Sequence, residues 1–153
     1  MSRRIWLPKA LSYFMLVLMA VAVISLVILP WIVSDYVAYV YFYTGSSFVK
    51  TYFLIVLYAS GLLSIIVLYE LRMIFRSCVN EDPFVIRNVT SLKRIGMVAS
   101  LIGLIFVTKA VLFLTYLTMI VIFVFALAAL FCFVLADVFE EAVKHKAEID
   151  LTI

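Results

Sequence analysis

Lys109 is the only charged residue in the long apolar stretch 95–136. A charge that deep in an apolar run is costly in lipid and is a functional hypothesis by default. Its ammonium can bind a ligand or an acidic partner. It can also snorkel to the headgroups, because it lies about a turn from a bend expected further on. Asp35 is the only outer carboxylate placed to pair with it. No Asp or Glu lies at matching depth in another apolar run, which weakens a proton- or ion-coupled transporter. Ser25, Ser60 and Ser64 have no base in reach by sequence logic and read as helix-packing hydroxyls. There is no His-Glu-x-x-His, no Gly-x-Ser-x-Gly and no paired intramembrane Asp. The expectation is a protein that is not an enzyme, with no catalytic residue. His145 stands alone, so no zinc site is expected. Cys78 lies in a polar segment and Cys132 in an apolar run, which argues against a disulfide or metal spacing. Cys132 is then a packing residue. No cofactor and no metal is implied. The net charge of +3, without a clustered patch, gives no reason to expect direct nucleic-acid binding.

The elements that must carry these residues follow from composition. The 153 residues are 68% hydrophobic and 14% charged, against about 45–50% and about 25% in soluble domains. A soluble chain this short cannot hide so much apolar surface. A soluble enzyme, a disordered chain and a disulfide-stapled secreted module are excluded. The lipid bilayer is the implied partner. The first apolar run, 11–33, holds no charge and is long enough to span. It is therefore read as a membrane helix and not as a cleaved leader. The other spans are expected at about 51–72, 95–113 and 118–138. The last two share one stretch about twice a span in length, with a turn near 114–118 at Thr115, Tyr116 and Thr118. Peptide groups in lipid must be satisfied internally, so each span is a helix. The fold class is an all-α integral membrane protein with four transmembrane helices, as a single domain.

Ten of the twelve Lys and Arg fall on one side of such an arrangement: Arg3, Arg4, Lys9, Arg72, Arg76, Arg87, Lys93, Arg94, Lys144 and Lys146. Lys50 and Lys109 are the exceptions. The positive-inside rule puts both termini in the cytoplasm, N-in and C-in, with a cytoplasmic loop 73–94 and a cytoplasmic tail 139–153. Trp6 and Trp31 bracket the first span. Tyr36, Tyr39, Tyr41 and Tyr43 form either an aromatic belt or an extracellular ligand-contact surface, and the alternation of the last three fits a short extended segment. Gly96, Ser100, Gly103 and Ala110 give span three a small face, and Ala129, Cys132 and Ala136 match it on span four. A tight hairpin follows. Lys109 points roughly 140° away from that face. A small face can also pack between chains, so a homo-oligomer is compatible with it. At the inner boundary Glu70, Arg72, Lys93, Arg94 and Asp137 share a depth, as interhelical ion pairs or as a solvated rim.

In the loop, Asp82-Pro83 reads as a helix start, with Asp at the N-cap and Pro at the first helical position. Phe84, Ile86 and Val89 are apolar in a cytoplasmic loop and suit a membrane or docking surface. The tail continues span four as a helix, with Glu140 and Lys144 as an i,i+4 pair. From Asp137 onward it has five acids and two Lys.

Asn80-Glu81-Asp82-Pro83-Phe84, then Asn88-Val89 and Ser91-Leu92-Lys93-Arg94-Ile95-Gly96, resemble the signature loop of domain-of-unknown-function family 2975. These are small four-span bacterial membrane proteins. Leu135-Ala136-Asp137-Val138-Phe139 and Asp150-Leu151-Thr152-Ile153 resemble that family's C-terminus. Lys144-His145-Lys146 departs slightly from more acidic or Gln-rich versions. The span pattern covers the whole chain, the motifs only the loop and tail. The resemblance implies the bacterial cytoplasmic membrane and no established catalysis. It also implies a neighbouring gene for a Cro/repressor-type helix-turn-helix regulator. The expected function is regulatory, with a small cytoplasmic DNA-binding regulator as partner. The candidate partner-binding residues are Asp82, Pro83, Phe84, Asn88, Asp137, Phe139, Asp150 and Leu151. Two other readings stand beside it: a bacteriocin or toxin immunity or envelope-protection protein, and a small transporter subunit.

Overall fold

Hydrocarbon offers no partner to a peptide N–H or C=O, so apolar runs of this length close their own hydrogen bonds as helices. The computed structural model describes the backbone of residues 3–40, 47–80 and 84–152, and the side chains of 9–39, 47–79 and 84–152. It contains four helices: α1 (Arg3–Val40), α2 (Ser47–Asn80), α3 (Ile86–Leu112) and α4 (Tyr116–Thr152). There is no strand among the described residues. Each helix is long and apolar enough to cross a membrane. The shortest, α3, has 27 residues and runs about 40 Å, against a hydrocarbon core of about 30 Å. Every helix therefore overshoots the lipid.

The overshoot changes the connections. Tyr39 is helical, at the end of α1, and not part of an extended segment; Tyr41 and Tyr43 lie outside the described residues. The helix persists because its final turns still have an apolar task. Val33 and Val37 pack against Val49 and Phe53 of α2. Asp82 and Pro83 also lie outside the described residues, but α3 does not start where they would start it. It begins at Ile86, with Val85 in the N-cap position, extended at φ −120° and ψ 141° and without a side-chain cap. The Asn88 N–H donates to the Val85 carbonyl at 2.9 Å. Phe84 has moved the start: its ring meets Phe139 on α4 at 5.5 Å, and extended Val85 spans from that contact to the helix. The turn between α3 and α4 falls at residues 113–115, slightly ahead of its expected place. There the Phe113 N–H donates to the Lys109 carbonyl at 2.8 Å and the Thr118 N–H to the Thr115 carbonyl at 2.9 Å.

Helices adjacent in the chain pack antiparallel: α1 with α2, α2 with α3, and α3 with α4. Among the described residues no other pair comes into backbone contact. The domain is a row and not a closed bundle. The row curls enough for all four helices to border a cavity of about 370 Å³, which includes Ser25, Gly61, Phe106 and Phe125. Two apolar clusters mark its ends. One joins Val33, Val37, Val49 and Phe53 near Tyr52 and Phe113. The other joins Val89, Leu92 and Ala136, with Ile74, Phe139 and Val143 against them. The second cluster adjoins Glu70, Arg94 and Glu140 and is called the charged end. The start of α1 and the end of α4 lie on that side.

Most apolar surface stays outside the fold. Only 6% of the most apolar stretch of α1 is buried by protein. Since lipid tails are as apolar as Leu, the helices gain little from hiding such side chains from lipid and associate through close packing and polar contacts. The small face of α3 supplies the closest packing. A Cβ on Gly96 would stand 3.0–3.2 Å from three atoms of the Phe133 ring, so the ring lies flush on the α3 backbone. Ala136 is fully buried and Ala129 nearly so. Gly61 receives Leu26 of α1 in the same way. Replacing Gly96 with Val should force this seam apart at a cost of about 1–3 kcal/mol. An SDS titration of the purified protein in mixed micelles reads it as an earlier unfolding midpoint. A midpoint equal to wild type would refute the close seam.

Candidate functional site

The chemistry-bearing side chains outside the apolar stretches converge at the charged end, and α3 stands at their centre. Glu70 closes the apolar part of α2 and is 6% exposed. An ionised carboxylate that buried requires partners. It accepts from Ser91 Oγ at 2.7 Å and from Arg94 Nη1 at 3.0 Å. Ser91 and Arg94 sit three apart on α3, one above the other on a helical face. These are charge-assisted bonds, the stronger class of hydrogen bond. The Arg94 side chain is itself 61% exposed, so the pair is dry on the carboxylate side only.

Lys93 precedes Arg94 and points elsewhere. One residue along a helix is about 100° around it. Lys93 Nζ therefore reaches the other neighbour and binds Glu140 of α4 at 2.7 Å. Glu140 also holds Lys144 one turn on, at 3.2 Å. Both partners lie past the end of the apolar stretches. The hydrogen bond to Glu140 raises the pKa of Lys93 above the usual lysine value, and the same bond holds Glu140 below the usual carboxylate value, aided by Lys144. Two consecutive cations thus join α3 to α2 on one side and to α4 on the other. Of the five boundary residues expected to pair or to form a solvated rim, Glu70, Arg94 and Lys93 pair across helices. Arg72 and Asp137 make no ion pair among the described residues. Sequence reading missed Ser91 and the cross-helix role of Glu140. The Ser91-x-x-Arg94 spacing was the available signal for the first.

The candidate partner-binding residues divide. Asp82 and Pro83 lie outside the described residues. Phe84 stacks obliquely on Phe139, at an interplanar angle of 41°, and Phe139 packs against the Val89–Leu92–Ala136 cluster. That contact brings loop and tail together. Asn88 is 1% exposed and sits inside the fold. Asp137 is exposed and borders a groove between α3 and α4. Asp150 and Leu151 are exposed in the last turn of α4, Leu151 at 88%. The part of α4 past residue 138 is 14 residues long, an arm of about 20 Å. Beyond Lys144, His145 lies near Glu141 and Glu148.

Lys109 lies near the opposite end. Its ammonium is 4.9 Å from the centre of the Phe53 ring and 5.8 Å from that of Phe106. Asp35 is exposed and forms no ion pair with it. Aromatic faces, not a carboxylate, hold the charge there. Among the described residues no three His, Cys, Asp or Glu side chains group as a metal site. Cys78 and Cys132 are free thiols.

The model of one protein family, described as a protein of unknown function (DUF2975), matches residues 34–153. No curated protein and no solved structure matches the chain. The matched span takes in α2, α3 and α4 whole, and so every residue of the charged-end network.

The two halves of that network should respond differently to truncation. Arg94→Ala strips the cation from a buried carboxylate and should cost about 1–3 kcal/mol. Lys93→Ala opens a pair that water already reaches and should leave the unfolding midpoint nearly unchanged. Equal losses in an SDS titration would contradict this division.

Proposed function

The chain belongs to the DUF2975 family of proteins of unknown function, and from that premise we propose that it is a non-enzymatic membrane protein that holds a soluble regulator at its charged end. The membrane is the cytoplasmic membrane of a bacterium. The charged end faces the cytoplasm, in keeping with the excess of Lys and Arg there. The partner is a small helix-turn-helix DNA-binding protein, which the chain retains or releases according to the state of the membrane domain. The alternative readings as an immunity protein or a transporter subunit draw no support from a particular contact.

The observation that supports this reading is the arm of α4. It projects about 20 Å past the apolar stretch and ends in the exposed pair Asp150 and Leu151. From Asp137 onward it carries five acids against two Lys. DNA-binding domains are basic, and opposed potentials of this kind raise association rates and select partners. The arm is tied to α3 and the loop at its root, through Glu140 to Lys93 and through Phe139 to Phe84. A change in how α3 meets α4 would therefore reach the arm directly. Asn88 and Phe139, being internal, would act by positioning the arm. Asp137, Asp150 and Leu151 would touch the partner.

Crosslinking in native membranes, followed by purification, tests this. Wild type should capture a small helix-turn-helix protein, identified by its peptides. Asp150→Asn with Leu151→Ala, which leaves the Glu140 anchor intact, should lower the yield at least about tenfold. Undiminished capture would refute the arm as the contact. The orientation has its own test in a Cys132→Ala background. Exposed Cys78 should react with a membrane-impermeant maleimide in inverted vesicles and be protected in spheroplasts. The reverse pattern would put the charged end outside.

A further inference from the structure

The charged end holds a second group of polar residues that neither the ion-pair network nor the α4 arm uses. It lies between the start of α1 and the end of α2. There Lys9, Ser12 and Tyr13 face Arg72, Arg76 and Val79 across a pocket of about 420 Å³. Lys9 and Tyr13 are four apart on α1, and Arg72 and Arg76 four apart on α2, so each helix presents its pair on one face. Among the described residues, three cations and two hydroxyls line the pocket and no carboxylate does.

The contrast with the rest of the rim is chemical. Lys93, Arg94 and Lys144 each have a carboxylate at 3.2 Å or less. Lys9, Arg72 and Arg76 form no ion pair among the described residues. The Arg72 Nε is buried and has no hydrogen-bond partner there. A buried N–H donor left unmet costs about 1–3 kcal/mol, and three like charges around one space repel each other. An anion with several acceptor oxygens resolves both. Guanidinium groups favour phosphate oxygens because their fork of N–H donors matches them.

The position of the pocket selects the kind of phosphate. It opens where the apolar run of α1 begins and that of α2 ends, at the boundary between water and hydrocarbon. One turn along α1, Phe14 and Val17 are exposed and apolar, a surface suited to acyl chains beneath a headgroup. Basic pockets between membrane helices on the cytoplasmic side bind anionic headgroups in this way.

We propose that this pocket binds the phosphate of an anionic glycerophospholipid, held between α1 and α2 by Lys9, Arg72 and Arg76, with the hydroxyls of Ser12 and Tyr13 available to the phosphate and glycerol oxygens. The lipid then acts as a third component of the α1–α2 contact at the charged end, where the ion-pair network reaches only α2, α3 and α4.

The test uses the full chain purified in a neutral detergent. Phosphatidylglycerol and phosphatidylcholine with the same acyl chains are titrated in, and binding is read by native mass spectrometry. Phosphatidylglycerol should bind at least about tenfold more tightly. Each cation near an anionic lipid contributes roughly a fivefold factor. Arg72→Gln with Arg76→Gln should therefore weaken phosphatidylglycerol about 25-fold and leave phosphatidylcholine unchanged. Lys9→Gln changes an exposed residue, so it tests the site even if the double variant misfolds, and should weaken it about fivefold. Lys50→Gln, at the other end of the row, should change nothing. Equal binding of the two lipids by wild type, or unchanged lipid preference in Lys9→Gln and in a folded double variant, would overturn the proposal. So would displacement of the lipid by equimolar inorganic phosphate, which would assign the pocket to a free anion.

Discussion

In hydrocarbon a peptide N–H or C=O finds no partner outside the protein, so every span must close its own hydrogen bonds. That constraint makes four helices of this chain and accounts for their length. It also removes the force that assembles soluble helices. With lipid tails as apolar as the side chains they meet, an exposed Phe or Leu on α1 is already at rest. What remains to join one helix to the next is close packing and polar contact. The row depends on a few of each: Leu26 seated on Gly61, the Phe133 ring on Gly96, and the carboxylate of Glu70 between Ser91 and Arg94.

These contacts are unevenly placed, and the two ends differ in kind. Near the tyrosines, apolar and aromatic rings do the joining. Phe53 meets Phe113 at 5.4 Å, and Lys109 is held over Phe53. At the charged end the joining is ionic, and it centres on α3, whose two consecutive cations reach in opposite directions. The difference follows from the distribution of Lys and Arg, ten of which the sequence places toward one side. It also gives the charged end a geometry that water and salt can perturb. The aromatic end has no comparable network of ion pairs among the described residues.

The α1–α2 pocket fits the same logic. Cations at the boundary of a membrane need carboxylates, water or lipid headgroups. On α3 and α4 the chain supplies carboxylates. Between α1 and α2 it lines the space with Lys9, Arg72 and Arg76 and, among the described residues, no carboxylate. The α1–α2 contact at that end is therefore the place where the surrounding bilayer can enter the structure as a component.

The amino-acid sequence by itself determined the four helices, the turn between the last two, the small faces of α3 and α4 and the side on which charge collects. Each of these depends on the composition and length of one segment, because the backbone constraint is satisfied within that segment. The motifs of the loop and tail were also legible, and the family match spans both. Their contact was not: Phe84 and Phe139 are 55 positions apart, and only the antiparallel α3–α4 pair brings them together. Pairing was just as hidden. Lys93, Arg94 and Arg72 are alike in type and depth, yet among the described residues two find carboxylates and one does not. The start of α3 at Ile86 and the burial of Asn88 belong with these. All depend on how each helix is rotated about its axis and how deep it sits beside its neighbour. A helix that is apolar on every side, as α1 nearly is, carries no stripe to announce that rotation. Tertiary packing alone decides it, through contacts that no single segment contains.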